Sequence, residues 1–211
     1  MNETQLQFAT PDSGEEAARA ELYGLLSMLF YQAPTADLLA AIAAAPAGGE
    51  GELAGELQGE LPEAWRALQA ACAAADAAAV FDEYEGLFIG TGKPEVFLYG
   101  SYYMSGFLME KPLALLRAEL SRLGLQRTDD MPETEDHIAA LCDVMRHLIV
   151  SDDVIEGSIA TQKAFFATHM QSWVQQLCGD IGAHPAARFY RHVASVAAAF
   201  FAVEMQAFDM S

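Results

Sequence analysis

The sequence predicts an all-α fold, and three observations support that class. Apolar residues recur at three- and four-residue steps through most of the 211 residues, as they do along the buried faces of amphipathic helices. Helix-start residues and Gly/Pro breakers divide the pattern into segments of helical length. No convincing run of alternating apolar and polar residues suggests a strand. We therefore predict a single-domain bundle of roughly eight helices over residues 1–211, in which residues 1–12 form a loose arm.

Four helices are predicted in the first half of the chain. They run over residues 13–33, 38–45, 62–72 and 76–88. Ser13 and Glu16 have the spacing of a capping box, in which each side chain accepts from the other's backbone amide. Pro62 suits a first helical turn, and Asp76 can cap the fourth helix. The glycine-rich acidic stretch 48–59 is predicted to be a flexible connection between the second helix and the third.

Four more helices are predicted in the second half. They cover residues 112–123, 134–148, 151–177 and 185–200. Gly124 suits the C-cap that ends the first of them, and Pro185 suits the start of the last. Gly90–Pro94 separates the two halves, and the aromatic segment 97–107 follows it. We predict that this segment either packs as a connection on the bundle or lines a groove for an apolar peptide.

The composition restricts the classes of function. Apolar residues make up 53% of the chain and the formal net charge is −19, which predicts a globular protein that favours cationic partners over nucleic acid. The three cysteines are far apart and form no CxxC motif, so we expect reduced thiols in a cytoplasmic protein. No export signal is visible, and the uncharged stretches 38–49 and 193–203 are too short to span a bilayer, so no membrane insertion is expected.

The segment that begins at Glu133 combines a helix start with two titratable side chains. Thr134 is predicted to be the N-cap, with Asp136 in the first turn, where the helix dipole favours negative charge. A step of about 100° per residue places Asp136 on the polar side and His137 beside the apolar stripe. We therefore expect the Asp136 side chain to face solvent and the His137 ring to pack against the core. An acid and an imidazole at the start of a helix form a candidate site.

Two other patterns leave a different class of function open. The fragment from Gly90 to Lys93 lacks the glycine spacing of a phosphate-binding loop, and Pro94 stands where that loop needs Ser or Thr, so a helix C-cap and turn is the simpler interpretation. The five histidines form no HExxH motif and no repeated ExxH motif, so no metal site is predicted. The alternative is a metal- or nucleotide-dependent helical enzyme. Its candidate residues are Asp136, His137, Asp143 and His147. A purely structural helical subunit is a third possibility.

Three signatures give the chain a resemblance to a known family. The first is Tyr84–Phe88 (YEGLF), followed by a Gly/Pro loop and the pair Ser101–Tyr102. The second is Glu133–Ile138 (ETEDHI), in which Thr134 stands where the family usually has Pro. The third joins Phe166, His169 and Trp173 to the later pair Phe189–Tyr190. In this order, and on an all-helical chain, the signatures resemble the TorD/DmsD family of cytoplasmic chaperones for molybdenum-containing redox enzymes.

The resemblance implies a function and a set of site residues. It implies a chaperone, not an enzyme, without a cofactor of its own, that binds the twin-arginine signal peptide and the apo form of a molybdoenzyme until the molybdenum cofactor is inserted. Monomers and helix-exchanged dimers both remain open, as does the identity of the client. The implied peptide-binding residues are Tyr84, Leu87, Phe88, Pro94, Ser101, Tyr102, Glu133, Asp136 and His137.

The predicted orientations assign different roles to two of these residues. We expect Asp136→Asn to cost little stability, at most about 1 kcal/mol from the helix dipole, and to weaken leader binding by removing a charge-assisted pair with arginine. His137→Ala is expected to do the reverse, because the ring packs against the core.

Overall fold

Helices form most of the chain that the computed structural model describes, which is residues 13–45, 60–128 and 131–210. This part contains ten α-helices and one π-helical turn. Their bounds are α1 Ser13–Tyr31, α2 Ala36–Ala44, α3 Leu61–Ala74, α4 Ala77–Tyr84, the π-turn Glu85–Ile89, α5 Gly100–Ser105, α6 Lys111–Arg122, α7 Ile138–Val150, α8 Ile159–His169, α9 Val174–Ala183 and α10 Tyr190–Met210.

The all-α class is confirmed. Within the described ranges there is no strand, and only an isolated bridge joins Tyr99 to His137. The predicted arm 1–12 and the predicted connection 48–59 lie outside the described residues. The assignment of residues 1–211 to one domain stays a prediction.

Helix α7 lies against α1 along one side and against α8 along another. The stripe predicted for it is confirmed, since Ile138, Leu141, Met145 and Leu148 are all fully buried. Helix α10 packs on α9, α3 and α1 and completes the core. Burial of these apolar faces supplies the main free energy that holds the helices together.

Several helix boundaries match their predicted signals. Pro62 lies in the first turn of α3, and the Asp76 carboxylate caps α4 by accepting from the Ala78 amide at 3.3 Å. Gly124 follows α6 with a φ of +71°, a left-handed conformation that glycine adopts without strain. Gly90, with a φ of +65°, ends the π-turn, so the cap-and-turn interpretation of the segment from Gly90 to Lys93 is confirmed.

Other boundaries differ from the predictions. The helix predicted over 151–177 is two helices, α8 and α9, separated at residues 170–173, and its N-cap is Ser158 instead of Ser151 or Asp152. The aromatic segment contains a short helix, α5, that was not predicted. Helix α7 starts at Ile138 with His137 as its N-cap, so the predicted N-cap Thr134 is wrong by three residues.

The last helix begins at Tyr190 and not at Pro185, because a side chain from another element caps it there. The Glu83 carboxylate accepts three backbone hydrogen bonds, from the amides of Arg188, Phe189 and Tyr190, at 2.8–3.0 Å. These amides have no partner within the helix, so the carboxylate satisfies them and complements the positive end of the helix dipole. No local sequence pattern reveals a cap from a residue about a hundred positions away.

Helix α10 also has the length and apolar composition of a bilayer-spanning segment. The uncharged run 193–203 that was considered from the sequence is only its central part. Ten residues of α10 are buried against the neighbouring helices, among them Val193, Phe200 and Phe201. A core helix of this length meets the same criterion, and packing within the bundle accounts for the apolar composition of α10.

A buried ionic cluster ties α1 to α10. Glu204 is 1% exposed, and its two carboxylate oxygens accept from the Arg19 guanidinium at 2.7 and 2.8 Å. Tyr23 donates a third hydrogen bond to the same carboxylate at 3.0 Å. Burial opposes the charge of Arg19, yet its hydrogen bonds and attraction to Glu204 leave its pKa raised. The charge of the Arg19 guanidinium and the charge of the Glu204 carboxylate therefore stabilise each other in the protein interior.

We expect Glu204→Ala to lower the free energy of unfolding by about 3–5 kcal/mol, because removal of one partner leaves a desolvated Arg19 without its counter-ion. Asp209→Ala is the matched control, since Asp209 is an exposed acid on the same helix and its removal should change stability by no more than about 0.5 kcal/mol. Urea unfolding of both variants measures the difference. Equal values for the two variants would contradict the assigned role of the cluster.

Candidate functional site

The site is built where the segment before α5 crosses the segment before α7. The Gly100 amide donates to the Asp136 carbonyl at 2.9 Å, and the Ile138 amide donates to the Leu98 carbonyl at 2.8 Å. These two bonds form the bridge between Tyr99 and His137. The crossing brings the predicted aromatic segment next to the predicted acid and imidazole.

Asp136 points into this crossing, so the prediction that it faces solvent is wrong. Its residue is 3% exposed. One carboxylate oxygen accepts from the Thr134 hydroxyl at 2.6 Å, and the other accepts from the Ser101 amide at 2.8 Å. The second bond satisfies an amide in the first turn of α5, which has no partner within its own helix. Asp136 therefore joins the two segments from the inside.

His137 lies against the core, as predicted, and it also caps α7. Its Nδ1 accepts from the Ala139 amide at 3.2 Å, and its ring packs edge-on against Tyr99 with centroids 5.1 Å apart. Burial lowers the pKa of His137 to about 4 and outweighs the opposing attraction of Glu133 and Asp136. The imidazole is therefore neutral at pH 7, which is the state in which Nδ1 can accept a hydrogen bond.

A groove of about 510 Å³ opens beside this crossing. One wall comes from α1 and includes Met28, which is 50% exposed, and Tyr31. The opposite wall is the face of α7 that carries Ala140 and Val144. The segment after α6 closes the end of the groove, where the Met131 sulfur accepts from the Tyr31 hydroxyl at 3.6 Å. The groove therefore has two largely apolar walls.

The acidic residues that line the groove differ in whether they form an ion pair within the protein. Glu135 lies 2.8 Å from the Arg117 guanidinium, and Asp143 lies 3.0 Å from that of Arg146. The Glu133 carboxylate accepts a hydrogen bond from the Tyr99 hydroxyl. Among the described residues, none of the ion pairs includes Glu133. Burial, followed by the bond to Glu133, raises the pKa of Tyr99, so the phenol remains a donor at neutral pH.

The structure separates the predicted peptide-binding residues into two groups. Glu133 and His137 line the groove. The other seven lie outside its lining: Tyr84, Leu87, Phe88, Pro94, Ser101, Tyr102 and Asp136.

Most of the second group has a packing role. The Tyr84 hydroxyl donates to the carbonyls of Phe30 and Tyr31 at 3.2 and 2.7 Å, where it satisfies the end of α1. Leu87 and Phe88 are buried core residues. Tyr84 therefore contributes to the groove indirectly, because its hydrogen bonds fix the last turn of α1, and Tyr31 of that turn lines the groove.

The remaining members surround α5. Tyr102 is half-buried, and its ring packs on Phe97 with centroids 4.3 Å apart. The Ser101 side chain is buried, and its hydroxyl accepts from the Met109 amide at 3.3 Å. Pro94 is half-buried in the turn before this segment. The first part of the aromatic segment thus packs on the bundle, whereas Phe107 at its end is 70% exposed. A role of this segment in peptide binding stays a prediction.

Sequence reasoning missed the groove residues that α1 contributes. Met28 and Tyr31 lie beside the leucine stripe that identifies α1, and they become lining residues only because α7 packs next to them. A methionine and a tyrosine at the margin of an apolar stripe were the available signal, and alone that signal does not distinguish a groove from ordinary packing.

The residues of the alternative enzyme hypothesis are not gathered into a metal site. Within residues 13–45, 60–128 and 131–210, no group of three or more His, Cys, Asp and Glu side chains is placed to hold a metal ion. Asp143 pairs with Arg146, and the His147 Nε2 faces the Glu156 carboxylate at 3.9 Å. The absence of a bound metal stays a prediction.

Comparison with known proteins identifies the family. Residues 54–179 match the family model described as nitrate reductase delta subunit, which covers more than half of the chain. The chain belongs to this family. The family includes the TorD chaperones, so the resemblance inferred from the three signatures is confirmed.

Individual relatives agree with this assignment. The chaperone protein TorD of Vibrio cholerae serotype O1 is 28% identical over 130 residues, which are 58% of this chain and 59% of that protein. TorD of Vibrio atlanticus is 29% identical over 131 residues, 57% of this chain and 60% of that protein. The chain thus spans less than two thirds of the length of these curated TorD relatives.

The fold is shared with a solved structure. A candidate redox enzyme maturation protein from Archaeoglobus fulgidus superposes with a TM-score of 0.56 over 94% of this chain and 99% of that chain, at 19% identity. This similarity supports the TorD-like all-α architecture.

The buried His137 predicts a pH-dependent stability. Its pKa is about 4 in the folded protein and near its usual value of about 6.5 in the unfolded chain. Between these values only the unfolded chain gains the proton, so stability is complete above about pH 6.5 and falls as the pH drops toward about 4. We expect His137 to contribute a slope of up to about 1.4 kcal/mol per pH unit in this window.

His137→Asn tests this contribution, because asparagine retains an N-cap acceptor and cannot titrate. Urea unfolding at several pH values should give a shallower slope for the variant. The buried His169, whose pKa is also lowered by burial, remains in both proteins and supplies the same background slope. Identical slopes for the parent and the variant would refute the assignment to His137.

Because Asp136 is buried, the effect on stability that we expect from Asp136→Asn is larger than the effect predicted from the sequence. We now expect Asp136→Asn to lower the free energy of unfolding by about 1–3 kcal/mol, because the neutral amide makes neither of the two charge-assisted hydrogen bonds with Thr134 and Ser101. Asp143→Asn is the control, since Asp143 is exposed and its ion pair with Arg146 contributes at most about 1 kcal/mol. If Asp136→Asn is no less stable than Asp143→Asn, the inward carboxylate has no structural role.

Proposed function

We propose that this protein is a cytoplasmic chaperone that binds the twin-arginine leader and the apo form of a molybdenum-cofactor oxidoreductase, and that it delays export until the cofactor is inserted. Membership in a family that includes the TorD chaperones supports the maturation role. The groove beside the start of α7 supports leader binding. The client stays unnamed, and both a monomer and a helix-exchanged dimer remain compatible with this role.

The observation that carries the proposal is the position of the Glu133 carboxylate. It lies in a groove with apolar walls, and its hydrogen bond comes from a neutral phenol and not from a cation. A twin-arginine leader joins a cationic motif to an apolar stretch. A carboxylate that forms no ion pair with the described residues, in a groove that also presents apolar side chains, complements both parts of such a peptide.

The geometry at Glu133 favours arginine in particular. The Tyr99 hydroxyl donates to one carboxylate oxygen, Oε2, and the hydrogen bonds of the described residues leave Oε1 without a donor. A guanidinium presents two donors in a planar fork, so it can bond to Oε1 and share Oε2 with the phenol. Lysine carries a single ammonium group and cannot copy this arrangement.

The other acids of the groove already have intramolecular cations. Glu135 forms an ion pair with Arg117, and Asp143 forms an ion pair with Arg146. Asp136, the acid assigned to arginine binding from the sequence, accepts both of its hydrogen bonds from the protein itself. Its proposed contribution is therefore to position Glu133 and His137, while the net charge of −19 attracts the cationic leader over longer distances.

We expect Glu133→Gln to weaken binding of twin-arginine leader peptides by about 10- to 100-fold, or about 1.5–3 kcal/mol, through loss of a charge-assisted bond. Stability should change little, because glutamine can still accept from Tyr99. Glu21→Gln removes the same charge from an exposed position on α1 outside the groove, so it controls for the overall charge. Calorimetric titration with synthetic leaders of molybdoenzymes from the same genome measures all three proteins.

A second peptide completes the experiment. Replacement of both arginines of the leader by lysine should weaken binding to the parent and have a much smaller effect on the Glu133→Gln protein. Leader binding that Glu133→Gln and Glu21→Gln reduce equally would place the arginine site elsewhere. If the parent binds none of the leaders, the proposed function is wrong.

A further inference from the structure

The connection between α7 and α8 exposes a cluster of aliphatic side chains. Val150 is 57% exposed, Val154 87%, Ile155 74% and Ile159 47%. We call these four residues the aliphatic cluster. Single exposed apolar residues are ordinary on protein surfaces, but a group of four within ten residues is a candidate interaction surface.

Hydrogen bonds hold this connection in a defined conformation. Asp153 accepts from the amides of Ile155 and Glu156 at 2.9 and 3.0 Å. The Ile155 carbonyl accepts from the hydroxyls of Ser158 and Thr161 at 2.8 and 2.7 Å. Because valine and isoleucine also have few side-chain rotamers, docking on this surface would cost little conformational entropy.

The aliphatic cluster continues the wall of the groove. The groove is lined by Ala140, Asp143 and His147 of α7, which follow one another at three- and four-residue steps on one helix face. Val150 is the next residue on that face, three positions after His147. The His147 Nε2 lies 3.9 Å from the Glu156 carboxylate, which belongs to the α7–α8 connection. The face of α7 that lines the groove therefore leads to the connection that carries the aliphatic cluster.

The length and charge of this surface restrict its occupant. Helix α7, whose 13 residues make it about 20 Å long, begins five residues after Glu133 and ends at Val150 of the aliphatic cluster. The cluster is interspersed with Asp152, Asp153 and Glu156, and no lysine or arginine occurs between residues 150 and 159. An acidic segment would be repelled there, whereas a neutral apolar segment can bury its side chains on the valines and isoleucines.

We propose that the aliphatic cluster binds the apolar stretch of the same leader whose arginines bind at Glu133. This inference rests on the proposed function and assigns the two parts of the peptide to opposite ends of α7. The arginine motif would lie in the groove, and the apolar stretch that follows it would extend along α7 to Val150, Val154 and Ile155.

The double variant V154S/I155S tests this assignment. Its side chains are exposed, and the hydrogen bonds of the connection use the backbone of Ile155, so the variant should fold with an unchanged Tm. We expect it to bind a full leader about 10- to 100-fold more weakly than the parent does. It should bind a short peptide, which contains the arginine motif and lacks the apolar stretch, with the affinity of the parent.

Phe81→Ser and Leu115→Ser are the matched controls. These two side chains are 53% and 55% exposed and do not line the groove. Neither substitution should change the affinity for the full leader. Sedimentation of the parent and the double variant, each without peptide, shows whether the cluster instead joins two copies of the chain.

The outcomes separate this inference from the proposed function. If the parent binds no leader, the proposed function fails and the assignment of the aliphatic cluster fails with it. If the parent binds the full leader and V154S/I155S binds it equally well, leader binding stands and this assignment alone is wrong. A double variant that changes only from dimer to monomer would also overturn it.

Discussion

The carboxylate of Asp136 is the interaction on which the candidate site depends. It lies inside the crossing of two irregular segments and accepts one hydrogen bond from each, from Ser101 on one side and from Thr134 on the other. Two backbone hydrogen bonds flank it and fix the direction in which Tyr99 and His137 leave the crossing. Buried acceptors that lose their donors are costly, so this arrangement tolerates little displacement. The position of Glu133 at the edge of the groove follows from it.

Much of the fold could be predicted from local patterns. The starts of α3 and α4, the glycine after α6 and the buried stripe of α7 are encoded by residues that act within one or two helical turns. Boundaries set by distant partners could not be predicted in this way. The start of α10 is the clearest example, because Glu83 supplies its cap from another helix.

The prediction that the Asp136 side chain faces solvent failed for a specific physical reason. The projection onto a helical wheel assumes that residues 134–137 are already helical, but His137 has the extended backbone angles of an N-cap and forms a bridge with Tyr99. Glu135 and Asp136 lie in a turn that the His137 amide closes by donating to the Thr134 carbonyl at 3.0 Å. A step of about 100° per residue applies only within a continuous helix. The location of the candidate site could still be predicted from the sequence, because Glu133 and His137 belong to the segment that begins at Glu133. The groove itself requires Met28 and Tyr31, and only the packing of α1 on α7 brings them there.

The cluster that ties α1 to α10 has a consequence for the order in which the protein folds. Arg19 and Glu204 are 185 residues apart in the chain, and the Tyr190 hydroxyl donates to the Leu29 carbonyl across 161 residues. During synthesis α1 emerges long before α10, so the Arg19 guanidinium stays hydrated and the last turn of α1 lacks this donor until α10 has left the ribosome. Because the same turn carries Met28 and Tyr31, the α1 wall of the groove gains this contact only after α10 has been synthesised. A chain that lacks α10 would thus present an α1 wall whose last turn is held by Tyr84 and not by Tyr190.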